Sequence, residues 1–257
     1  MQFKRRFYRL YDTIQLLKPL TGSYIAAFAI IVRRKLDPQA LFKGSFGQQE
    51  FRFRSIDCNA LCEVFHEGEY EFLGNWVSGL EAPTVLDVGA HIGTFALWVL
   101  SRNASARIVS VEADPATFSI LAQNQSLTSD RWQTINRAAS RSDGEKLQFS
   151  NEGPSMSHRI SSDGTLFVES VSLGRLISIV AGPEGAIDLL KVDIEGAEEH
   201  FICDSPQHLA RVRTLVIELH PSLCDTDRVR EVIAQYFRIV EEITGRHSKK
   251  PLLFCSK

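Results

Sequence analysis

Residues 84–93 read Thr-Val-Leu-Asp-Val-Gly-Ala-His-Ile-Gly, a short apolar run that ends in a glycine-containing turn. The run predicts a buried β-strand, because it is bounded by a turn and is too short for a typical helix. Gly89 lets the backbone bend sharply, and the apolar residues from Phe95 to Leu100 predict a helix after the turn. An anionic ligand group is expected here, since the first N–H groups of a helix can bind it.

Strands and helices continue to alternate along the rest of the chain. Further strands are predicted at 107–111, 134–135, 187–192, 214–219, 238–242 and 252–255, and helices at 116–127, from 197 and at 225–237. This alternation indicates an α/β fold with a mainly parallel sheet and helices on both of its faces. In such sheets ligands bind outside the carboxyl ends of the strands, so the residues at those ends decide the function.

The sequence divides into an extension and one larger domain. Residues 1–50 are predicted to form a basic, helical N-terminal extension, and residues 51–257 the main domain. Within that domain, residues 51–80 form a substrate-side lead-in with a strand at 51–54 and a helix of about 20 residues ending near Gly79. Residues 83–257 supply the ligand-binding sheet, and the polar stretch 150–165 predicts a long loop of the kind that often carries function.

Composition and charge exclude several classes of protein. The chain has 257 residues, 44% of them hydrophobic and 23% charged, which excludes disordered, collagenous and coiled-coil proteins. Residues 1–35 hold eight basic residues and one acidic residue, a net +7 that leaves −9 on the rest of a chain whose formal charge is −2. This asymmetry argues against a nucleic-acid binder. Five cysteines, an odd number, favour a reducing compartment and predict a cytoplasmic location.

An uncharged run in the basic extension raises the question of membrane contact. The run extends from Pro19 to Val32 and is shorter than the roughly 20 residues that a bilayer span requires. One interpretation is a helix that packs on the body of the protein. The other is an interfacial helix whose flanking basic residues bind anionic headgroups, which would make residues 1–35 a peripheral membrane contact.

The glycine turn suits a nucleoside ligand better than a dinucleotide. The dinucleotide fingerprint requires glycines at three positions, which here hold Gly89, His91 and Thr94. His91 would crowd a pyrophosphate, so an NAD-dependent oxidoreductase is disfavoured, whereas S-adenosylmethionine has no pyrophosphate. Glu112 ends the next strand, 19 residues after Gly93, where a carboxylate can accept hydrogen bonds from both ribose hydroxyls.

Acidic residues and a histidine follow two later strands. Asp193 and Glu195 follow one strand, and Glu218 and His220 end the next. All four are expected at the sheet edge that holds Gly89, because the carboxyl ends of parallel strands share one edge. Carboxylates and an imidazole in one place suggest either acid–base chemistry or a site for a hard cation. Lys191 is expected to pair with these acids and is given no chemistry.

Several motifs together resemble the FkbM family of S-adenosylmethionine-dependent methyltransferases. They are VLDVGAHIGTFAL at 85–97, VEADP at 111–115, Asn124, the polar stretch NEGPSMSHRI at 151–160, LLKVDIEGAEE at 189–199 and VIELHP at 216–221. The resemblance covers about residues 62–225, and KVDIEGAE is its most discriminating part. It implies a Rossmann-like class I methyltransferase with a seven-stranded sheet that methylates a hydroxyl of a sugar, glycolipid or polyketide-type acceptor.

The resemblance also implies roles for individual residues. Those implied to bind the cofactor are Asp87, Gly89, Ala90, His91, Gly93, Glu112, Ala138, Ala139 and Asp193. His91 departs from the family, which commonly has Asn there, and cofactor affinity is therefore expected to depend on pH. Ala138 and Ala139 would flank the adenine, and Asp193 and Glu195 would face the reacting end.

Methyl transfer to a hydroxyl requires a group that removes the hydroxyl proton. His220 is predicted to be this base, with Asp193 or Glu218 orienting it. The competing mechanism is a Mg²⁺ ion held by Asp193, Glu195, Glu218 and His220 that acidifies the hydroxyl. A non-catalytic scaffold that only binds S-adenosylmethionine is a further alternative, although such a protein would need neither Glu112 nor the acidic strand ends.

Overall fold

The computed structural model describes residues 13–152, 155–244 and 250–257. The first four basic residues of the extension, Lys4, Arg5, Arg6 and Arg9, lie outside the described residues. Residues 13–21 form helix α1, and helix α2 follows at Tyr24–Leu36 after Ser23, whose hydroxyl caps the first turn. Ala27 and Ile30 are buried against the body of the protein, so the prediction of a helix packed on the body is confirmed for this side of α2.

A hairpin and a broken helix connect the extension to the sheet. Strands β1 (Leu41–Phe46) and β2 (Gln49–Arg54) pair antiparallel across the boundary predicted after residue 50. The domain division itself stays a prediction. The single long helix predicted before Gly79 is wrong: short turns surround α3 (Cys58–Leu61) and α4 (Gly74–Gly79). Gly68 adopts a φ of 68°, a left-handed conformation that ends the helical run soon after His66.

Seven strands form the predicted central sheet. In chain order they are β3 (Thr84–Val88), β4 (Arg107–Glu112), β5 (Trp132–Asn136), β10 (Ile187–Val192), β11 (Val212–Glu218), β12 (Ile239–Glu242) and β13 (Leu252–Ser256). Their spatial order is β12-β13-β11-β10-β3-β4-β5, with β13 antiparallel to both of its neighbours and the five strands from β11 to β5 parallel. This arrangement confirms the Rossmann-like class I methyltransferase fold and places the ends of β3, β4, β10 and β11 at one edge.

Helices cover both faces of the sheet, and each face buries its own hydrophobic core. The helices that follow the sheet strands are α5 (Thr94–Arg102), α6 (Pro115–Thr128), α7 (Leu173–Ala181), α8 (Glu198–Cys203) and α9 (Thr226–Tyr236). The side chain of Asp114 accepts a hydrogen bond from the N–H of Ala116 and caps α6, and Pro115 occupies its first turn. Asp114 and Pro115 therefore begin α6 shortly after β4 ends at Glu112.

A second, smaller sheet lies beside the edge where β3, β4, β10 and β11 end. Its strands are β6 (Ala138–Ala139), β7 (Lys146–Ser150), β8 (Arg159–Ile160) and β9 (Leu166–Val171), in the order β6-β9-β7-β8. The stretch predicted as a loop at 150–165 thus contains the short strand β8, which pairs with the end of β7. Gly153 and Pro154 of that stretch lie outside the described residues.

A chain of buried polar side chains crosses four adjacent strands of the sheet, from the edge strand β5 through β4 and β3 to β10. The indole Nε1 of Trp132 on β5 donates to Ser110 Oγ at 2.9 Å, and Ser110 donates to Asp87 Oδ2 at 3.0 Å. Asp87 Oδ1 lies 3.4 Å from the ammonium of Lys191 on β10. Burial alone would lower the pKa of Lys191, but the negative charges of Asp87 and Asp193 outweigh it and raise that pKa. Lys191, which was expected to pair with acids, therefore forms a buried ion pair with Asp87.

Replacing Lys191 with Met is expected to lower the free energy of unfolding by about 3–5 kcal/mol, measured by urea denaturation at pH 7. Without its partner, the buried Asp87 must either stay charged or take up a proton, and both cost stability. The double variant Asp87→Asn/Lys191→Met should recover part of the loss. Lys146→Met, at an exposed position on β7, is the control and should change stability by less than about 0.5 kcal/mol. An equally small loss in Lys191→Met would contradict the ion pair.

Candidate functional site

The glycine turn after β3 is held tightly against the two neighbouring strands. The N–H groups of Gly89 and Ala90 both donate to the carbonyl oxygen of Val111 at the end of β4, at 3.0 and 2.9 Å. Gly89 has a φ of 80°, and a Cβ atom at this position would overlap the backbone carbonyl oxygen of Asp193. Lys191 Nζ donates to the carbonyl oxygen of Gly89 at 2.8 Å. The turn therefore requires glycine for both its conformation and its packing.

The same turn contains His91 and ends at Gly93. His91 has a φ of 52°, in the left-handed region that Asn, Asp and His tolerate better than most residues. Its Nε2 lies 3.4 Å from Oδ1 of the buried Asp57. Burial lowers the pKa of His91 despite the charge of Asp57, so the imidazole stays neutral at pH 7. A neutral ring fits the role predicted for it in place of Asn.

Glu112 presents a fixed carboxylate next to the turn. Its Oε2 accepts the N–H of His91 at 2.9 Å, and its Oε1 accepts the N–H of Asp114 at 2.8 Å. Burial raises the pKa of Glu112 to about 7, although these two backbone hydrogen bonds oppose the shift. Each carboxylate oxygen can accept a further hydrogen bond, so the pair of oxygens suits two vicinal hydroxyls.

A cavity of about 880 Å³, including its open mouth, extends from Glu112 along the carboxyl edge of the sheet. The predicted site residues that line it are Gly89, Ala90, His91, Glu112, Ala138, Ala139, Asp193 and Glu195. Asp87, Gly93, Glu218 and His220 do not line it. Asp87 lies beneath the turn and acts through Lys191, and Gly93 packs against Trp132. These four predicted residues support the cavity wall rather than form it.

One end of the cavity is apolar and lies beside the smaller sheet. Ala138 and Ala139 form part of this wall, together with Phe149 and Ile160. His158 Nδ1 lies 3.0 Å from Asp114 Oδ2. Burial alone would raise the pKa of Asp114. The contact with His158 and the other hydrogen bonds of Asp114 outweigh burial and lower this pKa to about 2. The flat, apolar end is the position predicted for the adenine ring.

Charged groups converge beyond the other end of the cavity. Lys250 Nζ lies 2.7 Å from Glu195 Oε1 and 3.3 Å from Glu218 Oε1. His220 Nε2 lies 3.2 Å from Glu195 Oε2 and 3.8 Å from oxygens of both Asp193 and Glu218. The structure therefore brings all four predicted strand-end residues together, and it adds a lysine that no sequence motif indicates.

The surroundings of His220 do not fit the general base predicted from the sequence. Its side chain is 2% exposed, and its Nδ1 lies 2.7 Å from Glu198 Oε1. Burial alone would lower its pKa, but the hydrogen bonds to Glu195 and Glu198 and the nearby negative charges raise it to about 10. At neutral pH the ring is therefore protonated and cannot accept another proton. These surroundings disfavour His220 as the base, a role that stays a prediction, and they add Glu198, a partner that sequence reasoning did not name.

The same cluster does not fit the predicted Mg²⁺ ion. Ligand atoms of Asp193, Glu195 and His220 all lie within 4.8 Å of one another. Mg²⁺ prefers oxygen ligands in an octahedral arrangement, whereas this set includes an imidazole nitrogen. The ammonium group of Lys250 also lies 2.7 Å from Oε1 of Glu195, a member of this set, and 3.3 Å from Glu218 Oε1. The carboxylates are thus balanced by side-chain cations, and no chemistry is assigned to Mg²⁺.

The lead-in supplies a further wall of the cavity, including two acidic residues, Glu63 and Glu69, that sequence reasoning did not single out. Glu63, Glu69 and Tyr70 line the cavity opposite the sheet edge. Burial and the charge of Glu69 raise the pKa of Glu63 to about 8. Glu63 lies in a single π-helical turn at Cys62–His66, a rare structure that often occurs at functional sites. The only sequence signal for this wall was the acidic pattern of residues 63–71.

Comparison with known proteins shows similarity to a family of methyltransferases and to one enzyme of that activity. Residues 87–241, more than half of the chain, match the family model described as the methyltransferase FkbM domain. The hexuronic acid methyltransferase AglP of Haloferax volcanii is 25% identical over 162 residues, which are 62% of this chain and 66% of that protein. The match therefore spans slightly less than two thirds of the relative.

Solved methyltransferase structures are also similar to this chain. Magnesium protoporphyrin IX methyltransferase from Synechocystis PCC 6803, with bound SAM, has a TM-score of 0.47 and 11% identity, over 79% of this chain and 83% of that one. Precorrin-6y C5,15-methyltransferase from Geobacter metallireducens has a TM-score of 0.43 and 12% identity, over 76% of this chain and 92% of that one.

Proposed function

The chain belongs to the FkbM methyltransferase family, and from this premise we propose that it transfers a methyl group from S-adenosylmethionine to a hydroxyl of a sugar or glycolipid. One observation carries the proposal: a single cavity joins the Glu112 carboxylate at the glycine turn to the Asp193 carboxylate at the end of β10. The relative that methylates a hexuronic acid supports a sugar acceptor over a polyketide. The cytoplasmic location stays a prediction.

In this proposal the residues near the glycine turn hold the cofactor. The oxygens of Glu112 accept hydrogen bonds from the two ribose hydroxyls. The wall that contains Ala138 and Ala139 packs against the adenine. The turn at Gly89 approaches the methionine part closely, because no side chain intervenes. These contacts orient the reactants, an effect that contributes up to about 7–11 kcal/mol where alignment is good.

At the other end of the cavity, S-adenosylmethionine when bound supplies an electrophilic methyl group on a sulfonium. Asp193 and Glu195 are the strand-end carboxylates that line the cavity, and Asp193 is the more exposed of the two, at 28% against 15% for the side chain. We assign it the role of accepting the acceptor's hydroxyl proton, which contributes about 10²–10⁴-fold in rate. His220 is then a positioning residue, because Glu198 holds its ring at Nδ1 and its Nε2 lies 3.2 Å from Glu195 and 3.8 Å from Asp193.

The affinity for S-adenosylmethionine is expected to rise with pH and to fall about fivefold between pH 7 and pH 6. The ionised Glu112 accepts hydrogen bonds from the ribose, and the ionised form is lost as the pH falls through about 7. The neighbouring charges that tune it are Asp114, which raises its pKa, and Lys191, which lowers it. Calorimetry at several pH values measures the effect. Glu112→Gln, which cannot ionise, should bind weakly and lose this dependence, and an unchanged pH profile in that variant would contradict the role of Glu112.

A direct test uses the purified chain, methyl-labelled S-adenosylmethionine and two matched acceptors, one containing a hexuronic acid and one the corresponding neutral sugar. Saturable cofactor binding with transfer of an alkali-stable label confirms hydroxyl methylation. An alkali-labile label found only on the hexuronic acid would instead show methylation of its carboxylate. Cofactor binding without transfer to any hydroxylated acceptor would favour the scaffold alternative, and saturable binding of NAD would revive the oxidoreductase.

A further inference from the structure

Helix α2 exposes an apolar face, within whose arc the position of Lys35 also falls. The side chains of this face are Tyr24, Ile25, Phe28, Val32 and Leu36, and Ile25 and Leu36 are 83% and 78% exposed. At 3.6 residues per turn these five positions span an arc of about 120°. The opposite side of the helix carries Ala27 and Ile30, which are buried in the core. The helix is therefore anchored to the body on one side and apolar on the other.

Such a face is unusual on a soluble surface. Single exposed apolar side chains are common, but contiguous patches mark interaction sites. Among the described residues, Lys18 approaches this face, with its Nζ 5.7 Å from the ring centroid of Tyr24. None of the described helices has the length and hydropathy that crossing a bilayer requires. The face can therefore enter an interface without spanning it.

Charge identifies the kind of partner that fits. Residues 1–35 carry a net +7, whereas the rest of the chain carries −9. Arg33 on α2 and Lys18 on α1 are exposed beside the apolar face. A second copy of the chain would place two strongly basic segments against each other, which like-charge repulsion opposes. An anionic lipid surface satisfies both features, since it attracts the basic residues and buries the apolar ones.

We propose that the apolar face of α2 is a docking surface for a bilayer containing anionic phospholipids, with the helix lying parallel to the membrane plane. The acidic body is repelled by the same surface, so the attachment is made by this end of the molecule alone. The proposal is independent of methyl transfer, because it concerns residues outside the cofactor cavity.

Sedimentation of the full chain with vesicles tests the proposal. Binding is expected with vesicles of phosphatidylglycerol and phosphatidylcholine, and it should be much weaker with pure phosphatidylcholine or at high salt. The double variant Ile25→Glu/Phe28→Glu should reduce binding at least about tenfold, because it places two charges in the apolar face. Phe167→Glu, at an exposed position on β9, is the matched control and should bind as the unmodified chain does.

The test has outcomes that overturn the proposal. Unchanged vesicle binding in Ile25→Glu/Phe28→Glu would exclude the α2 face as the contact. Equal binding to neutral and anionic vesicles would exclude the electrostatic part. A dimer in sedimentation velocity that the same double variant dissociates, without any vesicle binding, would identify a second copy of the chain as the occupant. Cofactor affinity, measured alongside, should be equal in all variants and reports on folding.

Discussion

Asp193→Asn is expected to lower kcat by about 10²–10⁴-fold while leaving the affinity for S-adenosylmethionine nearly unchanged. The amide keeps the size of the carboxylate but cannot accept a proton. The backbone N–H of Asp193 still donates to the carbonyl oxygen of Val88, at 3.0 Å, so the end of β10 should keep its position. Single-turnover kinetics with labelled cofactor measure the chemical step, and calorimetry measures cofactor binding separately.

Glu63 supplies the decisive comparison for this prediction. Its carboxyl group lines the same cavity, and its pKa of about 8 leaves a minority of it ionised, and able to accept a proton, at pH 7. If Asp193→Asn keeps near-normal kcat while Glu63→Gln loses activity, the proton acceptor is Glu63. Asp163→Asn, at an exposed turn outside the cavity, controls for nonspecific effects of removing a negative charge.

Gly89→Ala is expected to raise the dissociation constant of S-adenosylmethionine by more than about tenfold, which corresponds to about 1.4 kcal/mol. The added Cβ would overlap the backbone carbonyl oxygen of Asp193, so the turn and the end of β10 must move apart. A φ of 80° adds strain of about 1–2 kcal/mol for any residue with a Cβ. Calorimetry measures the affinity, and urea denaturation measures the accompanying loss of stability.

Gly144→Ala separates the two causes of this effect. Gly144 has a φ of 75°, close to that of Gly89, but a Cβ there would meet nothing within 4 Å. The control should therefore lose only the strain energy and should bind the cofactor normally. Equal behaviour of the two variants would show that close packing at Gly89 is unimportant.

The central sheet could be predicted because its strands have local signals. The run at β3 is apolar and bounded by Gly89, and β10 and β11 are equally distinct. The lead-in could not be predicted in the same way. Its apolar residues have helical spacing, yet the left-handed Gly68 interrupts the helix, and the pairing of β1 with β2 depends on contacts that hydrophobic pattern alone does not show.

The candidate site divides along similar lines. Residues directly after strands, such as Glu112 and Asp193, were expected at the sheet edge, and both line the cavity. The raised pKa of His220 was not visible in the sequence, because it depends on Glu198 in the preceding helix α8 and on acids at the ends of two strands. Lys250 is 55 residues from Glu195, and only the tertiary fold brings them together.

The polar chain across the sheet limits how this sequence can diverge. Asp87 and Lys191 lie on adjacent strands and are both buried, so loss of either one alone leaves an unpaired charge inside the protein, which costs stability. Substitutions at these two positions should therefore be tolerated mainly when both residues change together. Among distant homologues, the two positions are expected to covary, with both charges kept or both replaced.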